Sequence, residues 1–239
     1  MSHPSHHLDD DVLLAYVSGT TTEPVALVAA CHLTLCAVCR ERASAAEAVG
    51  GVLLETAQGI PLSESAFDRA LARLDDDGVP APPVPSVPSS SSAPFVFGGV
   101  PLPRALVRYL NPDGRTDGPQ AAFRFLAPGI RGIDLPMVAS GAVAVVAGGA
   151  VRTRLLRLES GLEIPRHAHA APEFTLVFSG GLSDGGEHYG RGDLRFRDTT
   201  AVHSQVVDPG GPCLALVVNE GALLPQTWRG KLISFLFDR

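Results

Sequence analysis

The sequence predicts a multidomain α + β chain, a small all-α domain followed by a β-barrel or sandwich, and three observations predict it. Residues 1–78 place apolar side chains at helical spacing. Residues 79–94, "VPAPPVPSVPSSSSAP", hold six prolines and five serines. Beyond them, short β-rich runs are broken by Gly, Pro and Asp. The Pro/Ser stretch cannot build a core and favours polyproline II or coil. Fully extended at roughly 3.1 Å per residue it would reach about 50 Å. With its flanks it is read as a linker, 79–100, joining a helical domain, 1–78, to a β domain, 101–239.

Each helix has its own signal. "DDDVLLAYVSG" opens with acids that suit a helix N-terminus, and Gly19 is its stop. A second helix is expected from Glu23 to Leu33 and a third from Ala37 onward through "CRERASAAEAVGGVLLETA". In "SESAFDRALARLDDD" Ser63 offers an N-cap, and Phe67, Ala70, Leu71 and Leu74 share one stripe. Under 80 residues of helix make a thin core, and domains that small often need a staple.

The strands follow the linker. Residues 121–127, 142–148, 151–160, 173–180, 193–198, 213–219 and 232–237 all read as strands. Many short strands with glycine turns make a sandwich or barrel. The inward-facing set of these runs looks largely apolar.

Composition excludes several classes. With 45% hydrophobic and 18% charged residues the chain can bury a core. No apolar run reaches the length of a spanning helix, and "MSHPSHHLDDDV" lacks the pattern of a signal peptide. The expectation is a cytoplasmic protein without a membrane, where clustered cysteines more often bind metal than form disulfides. Residues 1–78 hold 12 Asp+Glu against 4 Lys+Arg, which argues against direct contact with nucleic acid. An acidic face of that kind suits a basic protein surface.

Chemistry concentrates in two places. In "HLTLCAVC" His32, Cys36 and Cys39 stand at i, i+4 and i+7, so one helix face, or a helix end, can bring them together. Thiolates and imidazoles are preferred zinc ligands, and a closed structural site needs four. The fourth is a histidine ahead of the first helix: His7, or its neighbour His6. Such a ligand would tie the first helix to the later ones. Cys31 points away from this set. The spacing, with a preceding histidine, closely resembles the His…His-x3-Cys-x2-Cys pattern of zinc-binding anti-sigma domains. That resemblance implies zinc at His7, His32, Cys36 and Cys39. It also implies a domain that binds an extracytoplasmic-function sigma factor and keeps it from polymerase and promoter.

The second place is "GLEIPRHAHAAPEFTLVFSG". His167 and His169 are two apart and share a strand face; Glu173 follows, and His203 lies beyond the next turn. Three imidazoles and a carboxylate suit a divalent transition metal: zinc, iron, manganese, nickel or copper. The spacing from Gly161 to Gly180 resembles the first motif of the cupin superfamily in full. Of the second motif Gly192 and His203 are kept, while Asp198, Thr200 and Val207 stand where proline, glycine and asparagine are usual. A zinc-binding anti-sigma domain followed by a cupin is the layout of the ChrR-type anti-sigma factors. This resemblance implies a regulator, not an enzyme, that releases its sigma factor in response to oxidative signals such as singlet oxygen.

Two other readings of the residues stand beside it. A cupin with this ligand set could be a metal-dependent, dioxygenase-like enzyme with the helical part as a regulatory or dimerisation appendage. The protein could also be a redox sensor acting through a Cys36–Cys39 disulfide. Cys213, in the apolar run "CLALVV", is read as a buried small residue, with an oxidisable thiol as the alternative. His188 is read as a solvated loop histidine.

Overall fold

The computed structural model describes residues 3–74, 95–111, 122–137, 151–169, 171–199, 202–220 and 223–225. The strands expected at 142–148 and 232–237 lie outside the described residues.

Five helices and thirteen strands are described. The helices are α1 (Asp10–Val17), α2 (Glu23–Leu35), α3 (Ala37–Thr56), α4 (Ala66–Leu74) and α5 (Arg104–Leu110). Gly19, at φ +70°, stops α1, because an L side chain rarely takes that conformation. Pro24 sits in the first turn of α2, where its missing N–H is no loss. Cys36 is extended (φ −109°, ψ 111°) and divides α2 from α3, whose axes bend by 117°. No single described helix is long and apolar enough to cross a membrane.

The strands begin with a hairpin, β1 (Phe95–Phe97) and β2 (Val100–Leu102), which falls partly within the span read as linker. Next come β3 (Arg124–Ala127), β4 (Ile130–Asp134), β5 (Arg152–Leu158), β6 (Glu163–His169) and β7 (Glu173–Ser179). Then follow β8 (Leu182–Asp184), β9 (Glu187–Tyr189), β10 (Leu194–Arg197), β11 (His203–Val207), β12 (Cys213–Asn219) and β13 (Leu223–Pro225). Apart from the hairpin they form two antiparallel sheets, ordered β10-β7-β12-β5-β4-β3 and β13-β6-β11-β8-β9. That is a double-stranded β-helix of cupin type.

The central strands β7 and β12 of the six-stranded sheet are buried on both faces. On β7 the even residues Phe174, Leu176 and Phe178 join one core with Val25, Val28 and Leu106 of the helices. The odd residue Val177 joins a second core with Leu182 and Val207 of the other sheet. A strand covered on both sides needs no polar alternation, which is why "CLALVV" reads as a continuous apolar run, whereas β7 carries the buried polar residues Glu173 and Thr175 on its barrel-facing side. The helices are packed on the barrel. Thr22 Oγ1 to Glu220 Oε1 (3.2 Å) and Tyr109 Oη to Glu23 Oε1 (2.6 Å) add polar contacts at this seam.

Candidate metal centres

The break at Cys36 assembles the first site. His32 lies in the last turn of α2, Cys36 caps α3, and Cys39 is in its first turn. A continuous helix would splay these side chains over two turns; the bend turns them toward one point. His7 enters from the segment ahead of α1. The four ligand atoms of His7, His32, Cys36 and Cys39 lie within 4.8 Å of one another. His32 Nε2 is 3.3 Å from Cys39 Sγ, and His7 Nδ1 is 3.2 Å from Cys36 Sγ. Of the two neighbouring histidines it is His7 that joins the cluster. His6 turns away, its ring 4.3 Å from that of Tyr189 and its Nδ1 3.6 Å from Asp193 Oδ1.

The surroundings suit a metal. His32 Nδ1 lies 2.9 Å from the carbonyl of Gly192 and must donate there, so Nε2 carries the lone pair that faces the cluster. Burial lowers the His32 pKa to about 4, against the opposing pull of the Gly192 carbonyl. Burial likewise raises Cys39 above its ordinary value, opposed by the Leu8 backbone hydrogen bond. A buried imidazole kept neutral and buried thiols beside it form a soft donor set of the kind zinc prefers. Arg42 lies against the cluster, bonded to Leu8 O (3.0 Å), to Cys39 Sγ (3.8 Å) and to Asp10. Cys31 is buried outside the set, its thiol pushed up to about 12 by burial.

The second set converges differently. Strand pairing sets His203 opposite His167, and their rings are 4.4 Å apart. His167 Nδ1 donates to Pro165 O at 2.8 Å, leaving Nε2 as its lone-pair nitrogen. His169 shares the strand, but its side chain lies outside the described residues. Glu173 is buried and bonded through Oε1 to the Arg195 guanidinium. The same guanidinium donates to Asp184 Oδ2 at 2.5 Å, and His203 Nδ1 is 3.0 Å from that oxygen. Gln205, its amide oxygen turned inward, accepts from Arg195 at 2.8 and 3.0 Å. Two imidazoles and a carboxylate are a chemically suitable donor set. Among the described residues, however, only the His7/His32/Cys36/Cys39 group draws its ligand atoms within metal-binding reach.

The inward set is thus not largely apolar, as the strand runs suggested. Arg195, Asp184, Thr175 and Gln205 are all buried. Burial alone would raise Asp184, but the His203 hydrogen bond and the Arg195 charge outweigh it and hold its carboxyl well below the usual range. The signal for Arg195 was present in "DLRFRD": strict alternation puts both arginines on the face opposite Leu194 and Phe196. His188 lies not in a loop but on β9, its Nε2 2.7 Å from Asp208 Oδ2. Cys213 is fully buried, and burial with the Asp208 charge pushes its thiol up to about 12, which disfavours the thiolate that oxidants attack.

Fold and sites together define a class: a helical domain with a His/Cys group able to hold a metal, seated on a cupin-like barrel. A family model described as ChrR Cupin-like domain matches residues 133–223. Anti-sigma-E factor ChrR of Cereibacter sphaeroides is 32% identical over 232 residues, covering 97% of each chain. The crystal structure of Rhodobacter sphaeroides SigE in complex with the anti-sigma ChrR matches at TM-score 0.64 and 33% identity. That match covers 90% of this chain and 98% of the other. The chain belongs to the ChrR family of anti-sigma factors.

Proposed function

We propose that this protein is a cytoplasmic anti-sigma factor that sequesters an extracytoplasmic-function sigma factor through its helical domain. One observation carries the reading besides the relatives: an apolar surface on α3, α4 and the turn between them. Val52, Leu53, Leu54, Ile60, Leu62 and Phe67 are all exposed, Leu54 at 78% and Ile60 at 89%. α4 buries none of its side chains, although Phe67, Leu71 and Leu74 line one stripe. So many exposed apolar side chains along one stretch of chain suit a binding surface. Acidic residues interspersed among them suit the basic face of a DNA-binding partner.

In this reading His7, His32, Cys36 and Cys39 hold a structural zinc that fixes α1 against α2 and α3. His167, His169, Glu173 and His203 hold a divalent transition metal in the cupin domain. The cupin domain receives an oxidative-type signal, singlet oxygen among them, and the complex then opens. Cys213 contributes little as a redox group because it is buried.

The test is capture of partners from native lysate by the full chain, read by mass spectrometry. A sigma factor is expected with the native sequence. It should be lost in a Leu54→Asp/Phe67→Asp variant that still carries zinc. Retained capture by that variant would remove the surface from the argument. A cupin enzyme is the second reading, favoured by the buried polar side chains Thr175 and Gln205 beside the candidate ligands. It predicts turnover of a small molecule that Glu173→Ala abolishes.

A further inference from the structure

Four consecutive residues touch both candidate metal centres. The Gly192 carbonyl accepts from His32 Nδ1 at 2.9 Å. Asp193 Oδ1 accepts the backbone N–H of Ser5 at 2.6 Å and of His6 at 2.9 Å, pinning the segment that delivers His7. Leu194 N donates to His6 O at 3.3 Å. Arg195 then points the other way, fully buried, and binds Glu173 and Asp184 beside His203. Alternation along β10 makes this necessary, since the side chain of Leu194 joins the core shared with the helices and that of Arg195 faces into the barrel.

We propose that residues 192–195 are the mechanical link by which the cupin centre controls the His/Cys centre, with Arg195 as the residue that senses the charge on Glu173 and Asp184. The inference rests on the reading of His7, His32, Cys36 and Cys39 as zinc ligands. Its physical basis is the poor tolerance of a buried guanidinium for losing a counter-charge. Glu173 and Asp184 together balance two guanidiniums, since Arg197 Nε also donates to Asp184 Oδ2 at 3.2 Å; a change that draws Glu173 away leaves one carboxylate shared between Arg195 and Arg197. The run is held to β7 along its length, Gly192 N donating to Val177 O at 2.8 Å, Asp193 O accepting from Val177 N at 3.2 Å, and Leu194 and Arg195 pairing with Leu176 and Thr175. A shift of Arg195 is therefore felt at the Gly192 carbonyl and the Asp193 carboxylate.

The approach at Gly192 is close as well. Its φ is +90°, and a Cβ there would lie 2.7 Å from Pro4 Cγ. Movement of this turn therefore moves the N-terminal segment, and with it His7. Arg195 bonds Glu173, Asp184 and His203 and lies outside the His/Cys group, so it is a positioning residue.

The readout is the reactivity of Cys36 and Cys39 toward iodoacetamide in the zinc-loaded full chain, quantified by peptide mass. Cys31 and Cys213, both buried, serve as internal controls. Arg195→Met and Glu173→Gln should each accelerate alkylation at Cys36 and Cys39 about tenfold, within the roughly 5- to 150-fold range of couplings between sites. Asp193→Asn should do the same from the other end, and combined with Glu173→Gln it should fall short of the product of the single effects. Leu158→Ala, which loosens the barrel core away from this strand, should leave the rate unchanged. Native rates in folded Arg195→Met and Glu173→Gln would overturn the link, as would equal acceleration by Leu158→Ala. A native chain whose Cys36 and Cys39 react as free thiols would defeat the zinc reading itself, and the link with it.

Discussion

At the scale of single residues, His32 has the most to say about conditions. Its pKa is lowered from 6.5 to about 4, chiefly by burial, so the folded chain keeps it neutral while the unfolded chain protonates it below 6.5. Between those values the unfolded state binds the extra proton, so stability falls as pH falls. The shift corresponds, at roughly 1.4 kcal/mol per unit, to about 3 kcal/mol lost over that window. His167, lowered by the same cause, adds in the same direction. The expected outcome is a chelator-stripped chain whose denaturant midpoint drops steeply from pH 7 to pH 4; a flat profile would contradict the burial of His32. Gly192 gives a second test at this scale. Gly192→Ala meets both a positive φ and a 2.7 Å contact with Pro4, so it should destabilise by about 1–3 kcal/mol in urea unfolding. The His/Cys spacing was legible because ligand chemistry is local in sequence. The choice of His7 over His6 was not, because it depends on Asp193, which lies 187 residues away in the chain.

Among the elements, the bend at Cys36 and the doubly covered sheet decide most of what the molecule does. Sequence reading found α1 to α4 close to their observed spans, since capping and apolar period are short-range signals. It read the inward-facing set as largely apolar, because β12 is apolar from Cys213 to Val218 and period alone cannot say which side of such a strand meets what. Leu176 shows what that ambiguity concealed. It lies on the face of β7 away from the barrel interior, yet it is fully buried against the helical half. Leu176→Ala should therefore cost about 2–5 kcal/mol in equilibrium unfolding, as a core truncation does. A change within about 0.5 kcal/mol, the behaviour of a surface position, would mean that the helices do not cover this sheet. Arg195 eluded the sequence for a related reason: a charged residue on a short strand reads as solvent-facing until its counter-charges on β7 and β8 are known.

For the whole molecule, the question is whether the Pro/Ser stretch holds the two halves together or only connects them. Composition makes residues 79–94 a spacer, and a spacer alone would leave the halves free of each other. The seam says otherwise: one apolar core runs from Leu13 and Val28 through Leu106 to Leu176 and Leu216. His32, Ser5, His6, Thr22 and Glu23 add hydrogen bonds across it. A protease site placed between Ser89 and Ser92 tests this directly. After cleavage the two fragments should elute from size exclusion as one particle at micromolar concentration, because the seam and not the peptide joins them. Leu176→Asp in the same cut chain should release them, since a carboxylate cannot be buried there without a partner. Separation of the cut chain with Leu176 intact would make the linker the only tie, and a barrel joined to the helices by the linker alone could not act on the His/Cys centre through residues 192–195.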